Sequence, residues 1–264
     1  MRRVVEFQLD DTTLFGTVDD GDSASGLLIV SGGNEIRIGA HRGMAHLAQE
    51  VAANGHPVFR FDRRGIGDSE GENVGFAGSA DDIEAALAAF KTASPALTRV
   101  VAFGNCDAAT ALVLYGTTVD GLVLANPWIV EQFDDLPAPA AIKKRYVRRL
   151  RDPKSWVALV TGKLNLRATI RGLRRLVAGT VKNEGLRASV AARLASSTVP
   201  VTIIVADGDN TGIVFADAWQ SSEFEAARSR RDVDFVTLTS SSHSFANEAD
   251  FAFLLGRLIK VLRQ

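Results

Sequence analysis

Short runs rich in β-branched and other apolar residues recur along the chain, at residues 27–30, 58–61, 100–103, 122–125 and 201–205. Apolarity that is nearly continuous over four or five residues suits a strand covered on both faces. Between these runs the apolar positions change period. Met44, Leu47, Ala48 and Val51, then Ile83, Ala86, Leu87 and Phe90, and later Phe251, Leu254, Leu255, Leu258 and Leu262 repeat at helical spacing. Each set predicts an amphipathic helix with one stripe against a sheet. Strand and helix alternate, so the chain needs crossover connections, and the expected class is α/β with a mostly parallel sheet and helices on both faces. The beginning differs: residues 4–9 and 14–18 flank Asp10-Asp11 and predict an antiparallel hairpin at the sheet edge. A last strand is expected over residues 233–238.

The alternation is interrupted once. From 133 to 198 no strand pattern is convincing, whereas Leu166, Ile170, Leu173 and Val177 fall on one helical face. The expected division is therefore a core of residues 1–132 and 199–264 with an inserted helical lid, 133–198. Charge sets the insertion apart. Residues 141–190 hold 14 Lys or Arg against two acids, about +12, while the whole chain carries −1, which leaves the remainder about −13. Arg167, Arg171 and Arg174 share a face, as solvated residues would, but the total exceeds what solubility requires and predicts an anionic partner. Candidates are the nucleotide of an acyl-CoA, an acidic acyl carrier protein, an anionic polysaccharide precursor, or lipid head groups met by peripheral membrane contact. Interleaved exposed aromatics and a reading motif are both missing, so nucleic acid is not expected.

At 264 residues, 46% apolar and 23% charged, the composition excludes disorder, collagen and coiled coil. Cys106 is the only cysteine, and the four histidines at 41, 46, 56 and 243 lack zinc spacing, so neither a disulfide within the chain nor a metal is expected. The opening residues reach Glu6 and Asp10 before any apolar targeting core, and no stretch approaches ~18 apolar residues. The expected location is the cytoplasm. No cofactor is expected.

One constellation carries chemistry. After the run ending at Phe103 comes Gly104-Asn105-Cys106-Asp107-Ala108, followed by a good helix start. A nucleophile flanked two positions away by small residues suits a strand-to-helix turn too tight for larger side chains. The following helix points its first N–H groups at the nucleophile, favouring a thiolate and then an oxyanion. Asp207 and Asp209 follow the run 201–205, and Ser240-Ser241-Ser242-His243-Ser244-Phe245 follows the expected last strand. Nucleophile, acid and base thus stand in the order Cys106, Asp209, His243, each just past the carboxyl end of a different strand, where sites of open α/β sheets assemble.

In these features the sequence resembles the α/β-hydrolase superfamily over nearly its whole length. The resemblance includes Ser31-Gly32-Gly33-Asn34, where the family places its oxyanion loop, and Asp62-Arg63-Arg64-Gly65-Ile66-Gly67-Asp68-Ser69, similar to the D-x-R-G-x-G-x-S turn of lid-bearing members. With Cys106 followed by Asp107, and with Gly39-Ala40-His41-Arg42 opening the first helix, the chain looks most like the exosortase A system-associated hydrolases encoded with bacterial exopolysaccharide genes. The resemblance implies an α/β-hydrolase fold and a hydrolase acting on an ester or thioester through Cys106, His243 and Asp209. The backbone N–H groups of Asp107 and of Gly33 or Asn34 would hold the oxyanion. Two departures matter. Cys stands for the usual Ser and Ala108 for the usual second Gly, although cysteine nucleophiles also occur in the superfamily, as in dienelactone hydrolases. An acyltransferase, a carrier thioesterase, or a non-catalytic scaffold docking its partner through the lid are the alternatives.

Asp207 competes with Asp209 as the acid, and Asp209 aligns better with the family's position. Asp107 either opposes the thiolate or simply favours the positive end of its helix. His41 and Arg42, near the oxyanion loop, are substrate-binding candidates, whereas His46 is expected to be solvated and His56 structural. Arg64 is expected to be a buried organiser of its loop, and Gly65-Ile66-Gly67 a turn rather than a phosphate cradle.

Overall fold

The computed structural model describes residues 1–116, 118–130 and 184–264. Among the described residues, eight strands form one sheet: β1 (Arg2–Leu9), β2 (Thr12–Asp19), β3 (Ser25–Val30), β4 (Val58–Phe61), β5 (Arg99–Asn105), β6 (Gly121–Ala125), β7 (Val201–Ala206) and β8 (Val233–Leu238). Their spatial order is β1-β2-β4-β3-β5-β6-β7-β8. The hairpin is antiparallel, with Arg2 opposite Asp19 and Leu9 opposite Thr12, and β2 runs antiparallel to β4. All other pairings are parallel. Strands β3, β4, β6 and β7 are buried along almost their whole length, whereas β8, at the edge, turns Asp234 and Thr237 outward. Continuous and alternating apolarity therefore follow from a strand's place in the sheet.

Among the described residues, six helices cover the two faces: α1 (Gly43–Ala53), α2 (Ala80–Ala93), α3 (Asp107–Tyr115), α4 (Glu184–Ser196), α5 (Asn210–Trp219) and α6 (Glu248–Leu262), with a further short turn at Glu225–Arg228. On one face the stripe of α2, Ile83, Ala86, Leu87 and Phe90, packs with α3, α4 and α5. On the other, Met44, Leu47, Ala48 and Val51 of α1 meet Leu254, Leu258 and Leu262 of α6. The result is a three-layer α/β/α sandwich. From β3 the chain passes to β4 on one side and then to β5 on the other, so the loops after β3 and β5 diverge at their carboxyl ends and leave a crevice.

Two expectations change. His41 and Arg42 do not open α1: they sit at φ 53° and 62° in a short 3-10 turn, Ala40–Arg42, and the helix begins at Gly43. The lid expected over 133–198 lies outside the described residues for 133–183, including Arg167, Arg171 and Arg174. Its last part, α4, buries Val190, Ala191 and Leu194 in the core beside α3. Those three positions are apolar on one face of the helix, and the sheet's helical layer is what they cover.

The segment Asp62 to Ser69 is a turn closed around a carboxylate. Asp62, fully buried, pairs with the Arg37 guanidinium and accepts the Asp68 N–H. Gly67 has φ 57°, and a Cβ there would lie 2.3 Å from Asp62 Oδ2, so glycine is required both by conformation and by space. Arg64 remains part-exposed and binds Asp82 and the Gly78 carbonyl. Arg63 is the buried arginine of the pair, 4% exposed. No helix among the described residues is long and apolar enough to cross a membrane.

Candidate active site

Cys106 occupies the sharp turn from β5 to α3, at φ 62° and ψ −126°. A non-glycine residue there costs about 1–3 kcal/mol of backbone strain and persists only if its surroundings fix it. They do. The Cys106 N–H donates to the Ala125 carbonyl at 2.9 Å, and the Cys106 carbonyl accepts from Trp128 N at 3.1 Å and Thr110 N at 3.3 Å. The requirement for small flanking residues is visible as well. A Cβ on Gly104 would lie 2.7 Å from the Ala108 carbonyl carbon and 2.8 Å from Ala109 N. The side chain of Ala108 itself is buried, 1% exposed.

His243 and Asp209 come from the loops after β8 and β7 and meet at this turn. His243 Nδ1 lies 3.1 Å from Asp209 Oδ1. The other oxygen, Oδ2, accepts the Gly212 N–H at 2.9 Å, so Asp209 also caps the N-terminus of α5. The hydrogen bond to Asp209, then that to Cys106, raises the His243 pKa from 6.5 to about 10 against the opposing effect of burial. The Asp209 carboxyl is lowered: burial pushes it up, but hydrogen bonds from His243 and Gly212 outweigh that. The two loops are fastened together by the Gly208 N–H to the Ser240 carbonyl, 2.7 Å, and by the Asp207 N–H to the Leu238 carbonyl, 2.9 Å. Of the two candidate acids, it is thus Asp209 that faces the imidazole, while Asp207 joins the strand-end ladder through its backbone.

Two asparagines complete the frame. Asn105 donates to the His243 carbonyl at 3.0 Å and accepts from Asn126 at 3.3 Å, and Asn126 Oδ1 takes the Ala206 N–H at 2.8 Å. A polar ladder thereby ties the ends of β5, β6 and β7 to the histidine loop. Sequence reasoning missed Asn105, Asn126, Trp128 and Arg63. The available signal was positional: Asn126 and Trp128 follow a buried strand on the same edge as the other site residues.

On the opposite side of Cys106 stands the loop after β3. The Gly33 N–H is not free: it donates to Asp107 Oδ1 at 2.7 Å. Arg63 donates to the Gly33 carbonyl from below. Burial lowers the Arg63 pKa, while the nearby charge of Asp107 raises it. The Asn34 side chain is engaged by Asn73 at 2.8 Å. A cleft of 200 Å3 opens here, lined by Gly33, Asp107, Cys106 and His243 together with the apolar Met44, Phe76 and Trp128. His41 and Arg42 are exposed and do not line it. His46 stacks on Phe251, ring centroids 4.4 Å apart, and the buried His56 bonds the Ser25 carbonyl at 2.9 Å. A larger cleft of 480 Å3 lies at the amino ends of β7 and β8 beside Arg257 and Lys260, remote from these groups.

A nucleophilic thiol, a raised imidazole and a buried carboxylate in sequence at one sheet edge can perform acyl transfer. Comparison with known proteins bears on the family and the fold. The sequence model described as the alpha/beta hydrolase family matches residues 27–254. No curated protein matches the chain in sequence. An esterase from Pyrococcus furiosus superimposes with a TM-score of 0.67 at 15% identity, over 100% of this chain and 90% of that one. GrgF, an alpha/beta hydrolase from Penicillium sp. sh18, gives 0.65 at 17% identity over 100% and 98%. Est1E from Butyrivibrio proteoclasticus, bound to ferulic acid, gives 0.63 at 14% over 98% and 97%. These likenesses are of fold.

Proposed function

The chain belongs to the alpha/beta hydrolase family, and from that premise we propose that it hydrolyses an ester or thioester through Cys106, His243 and Asp209, by way of an acyl-cysteine. The observation that carries this reading is the single chain of contacts from Asp209 through His243 to Cys106 on a strained turn. His243 takes the Cys106 proton, and its raised basicity favours that transfer. The sulfur attacks the acyl carbonyl, and the free N–H groups at the start of α3, that of Asp107 first, receive the oxyanion. Collapse expels the leaving group with the proton held on His243. Water, deprotonated by the same imidazole, then attacks the thioester and restores the thiol. Asp209 keeps the imidazole in the tautomer whose Nε2 faces the sulfur and stabilises the imidazolium.

The likeness in fold to an esterase from Pyrococcus furiosus supports an ester as substrate class. The basic composition of residues 141–190 supports an acyl donor or carrier that is anionic. The pairing of Cys106 with Asp107 supports a link to the exosortase-associated hydrolases. A free cysteine used as nucleophile suits a reducing compartment, the cytoplasm. An alcohol in place of water would make the same site an acyltransferase.

Incubation with short-chain p-nitrophenyl esters and with acyl-CoA thioesters, followed by intact mass measurement, tests the reading. An acyl adduct on the wild type that is absent in Cys106→Ala is expected, with turnover abolished and the fold retained. Near-full turnover in Cys106→Ala overturns the covalent route.

A further inference from the structure

One of the two amides expected to share the oxyanion with Asp107 N is already taken. Gly33 N–H, on the exposed side of the loop after β3, donates to the carboxylate of the very residue that follows Cys106. The carboxylate also lies against Gly32, where a Cβ would meet Asp107 Oδ1 at 2.6 Å. It is held from two sides, by the Gly33 amide in front and by the field of the buried Arg63, which grips the Gly33 carbonyl. A substrate oxygen cannot accept from Gly33 while the carboxylate is there, and a developing oxyanion would be repelled by it. Asp107 nevertheless lines the cleft, its second oxygen has no hydrogen bond among the described residues, and the cleft's other acid is the exposed Glu35. A group that bonds this carboxylate would draw it off the amide.

We propose that Asp107 is a specificity-determining latch: it closes the Gly33 oxyanion amide and yields to acyl groups that carry a cation or strong hydrogen-bond donor beside the scissile carbonyl. This rests on the acyl-cysteine reading. An ammonium-bearing acyl chain pairs with Asp107, the carboxylate rotates toward it, and Gly33 N–H is released to the reacting oxygen. A neutral acyl chain does not draw the carboxylate off, and it reacts slowly with the Asp107 amide alone at the oxyanion.

The test uses two esters with the same three-carbon acyl skeleton, p-nitrophenyl propanoate and p-nitrophenyl 3-aminopropanoate, and iodoacetamide. Alkylation by iodoacetamide needs the thiolate and no oxyanion, so the ratio of acylation to alkylation isolates the latch from any change in thiol reactivity. In the wild type the ammonium ester should have the higher kcat/KM, by about tenfold or more once spontaneous hydrolysis is subtracted. Asp107→Ala should raise the propanoate ratio about tenfold and erase the preference. Asp107→Asn, which keeps an oxygen on Gly33 N–H without the charge, should lose the preference and stay slow on propanoate. A ratio for propanoate that is unchanged or lower in Asp107→Ala overturns the latch, since a carboxylate that merely ties the loop gives that result. A wild-type Cys106 that is alkylated but never acylated overturns the acyl-cysteine reading itself, and the latch with it.

Discussion

Replacing Asp209 by Asn tests the tautomer argument at the atom where it is made. The two carboxylate oxygens have separate duties: Oδ1 faces His243 Nδ1 at 3.1 Å, and Oδ2 takes the Gly212 N–H at 2.9 Å. A carboxamide has one oxygen, and the cap claims it, because a backbone N–H can only be satisfied by an acceptor. Its NH2 is then turned to the imidazole. Nδ1 must become the acceptor, so the ring proton moves to Nε2, the nitrogen needed to accept the Cys106 proton. A site with the wrong tautomer loses about 10⁴-fold in turnover, which at about 1.4 kcal/mol per tenfold is about 5.5 kcal/mol of transition-state stabilisation. Stability should fall only by the share that the carboxylate's pairing with His243 contributes, since the cap survives. Asp209→Ala, which removes the cap as well, should cost about 1 kcal/mol more, or roughly 2–4 °C in Tm. The assay is kcat/KM for a p-nitrophenyl ester beside a thermal melt, with Asp207→Asn as comparison, expected within a few-fold of wild type. A loss below tenfold in Asp209→Asn, or a greater loss in Asp207→Asn, would refute the assignment of tautomer control to Asp209.

Alkylation of Cys106 by iodoacetamide at pH 7 should be faster than for a free thiol and should slow in His243→Ala, because an adjacent imidazolium favours the thiolate; equal rates in the two proteins would mean that the side chains do not interact. Gly104→Ala places a methyl 2.7 Å from the backbone of Ala108, so the turn must open at a cost of about 1–3 kcal/mol; Tm should drop by several degrees and turnover with it, and an unchanged melt would contradict the steric account. The His243 to Asp209 pair also predicts a pH profile of stability. The raised His243 pKa means that its contribution is complete below 6.5 and is lost as pH rises through about 10. The lowered Asp209 pKa means that its contribution is present above 3.8 and is lost as pH falls through its depressed value. The Tm difference between wild type and His243→Gln should therefore be widest between those two ordinary values, 3.8 and 6.5, and close toward pH 10; a difference that widens above pH 8 would reverse the sign.

Much of the architecture is legible in the chain because burial imposes it locally. Strands covered on both faces must be apolar throughout, as at residues 58–61, and a helix that covers them must repeat its apolar stripe, as Met44, Leu47, Ala48 and Val51 do. Both patterns depend only on near neighbours in sequence, and the strands at Val58–Phe61 and Val233–Leu238 carry the bounds the pattern predicts. The turn that exposes Cys106 is legible for the same reason, since only small residues fit beside it. What the tertiary structure decided is everything that depends on which oxygen or nitrogen lies opposite which. His41 and Arg42 stand near the oxyanion loop in sequence, yet a left-handed kink before Gly43 leaves them exposed and off the cleft. Asp207 and Asp209 are alike in composition and spacing, and only the path of the loop after β7 puts one of them against His243. Asp107 reads as an acid suited to a helix start, but its hold on the Gly33 amide spans 74 positions of sequence. Arg63, beside an equally charged Arg64, is buried because the turn faces inward at that residue. Periodicity reports how much of a side chain is covered; the hydrogen-bond partner of a polar atom is fixed by the meeting of distant loops, and no local pattern encodes it.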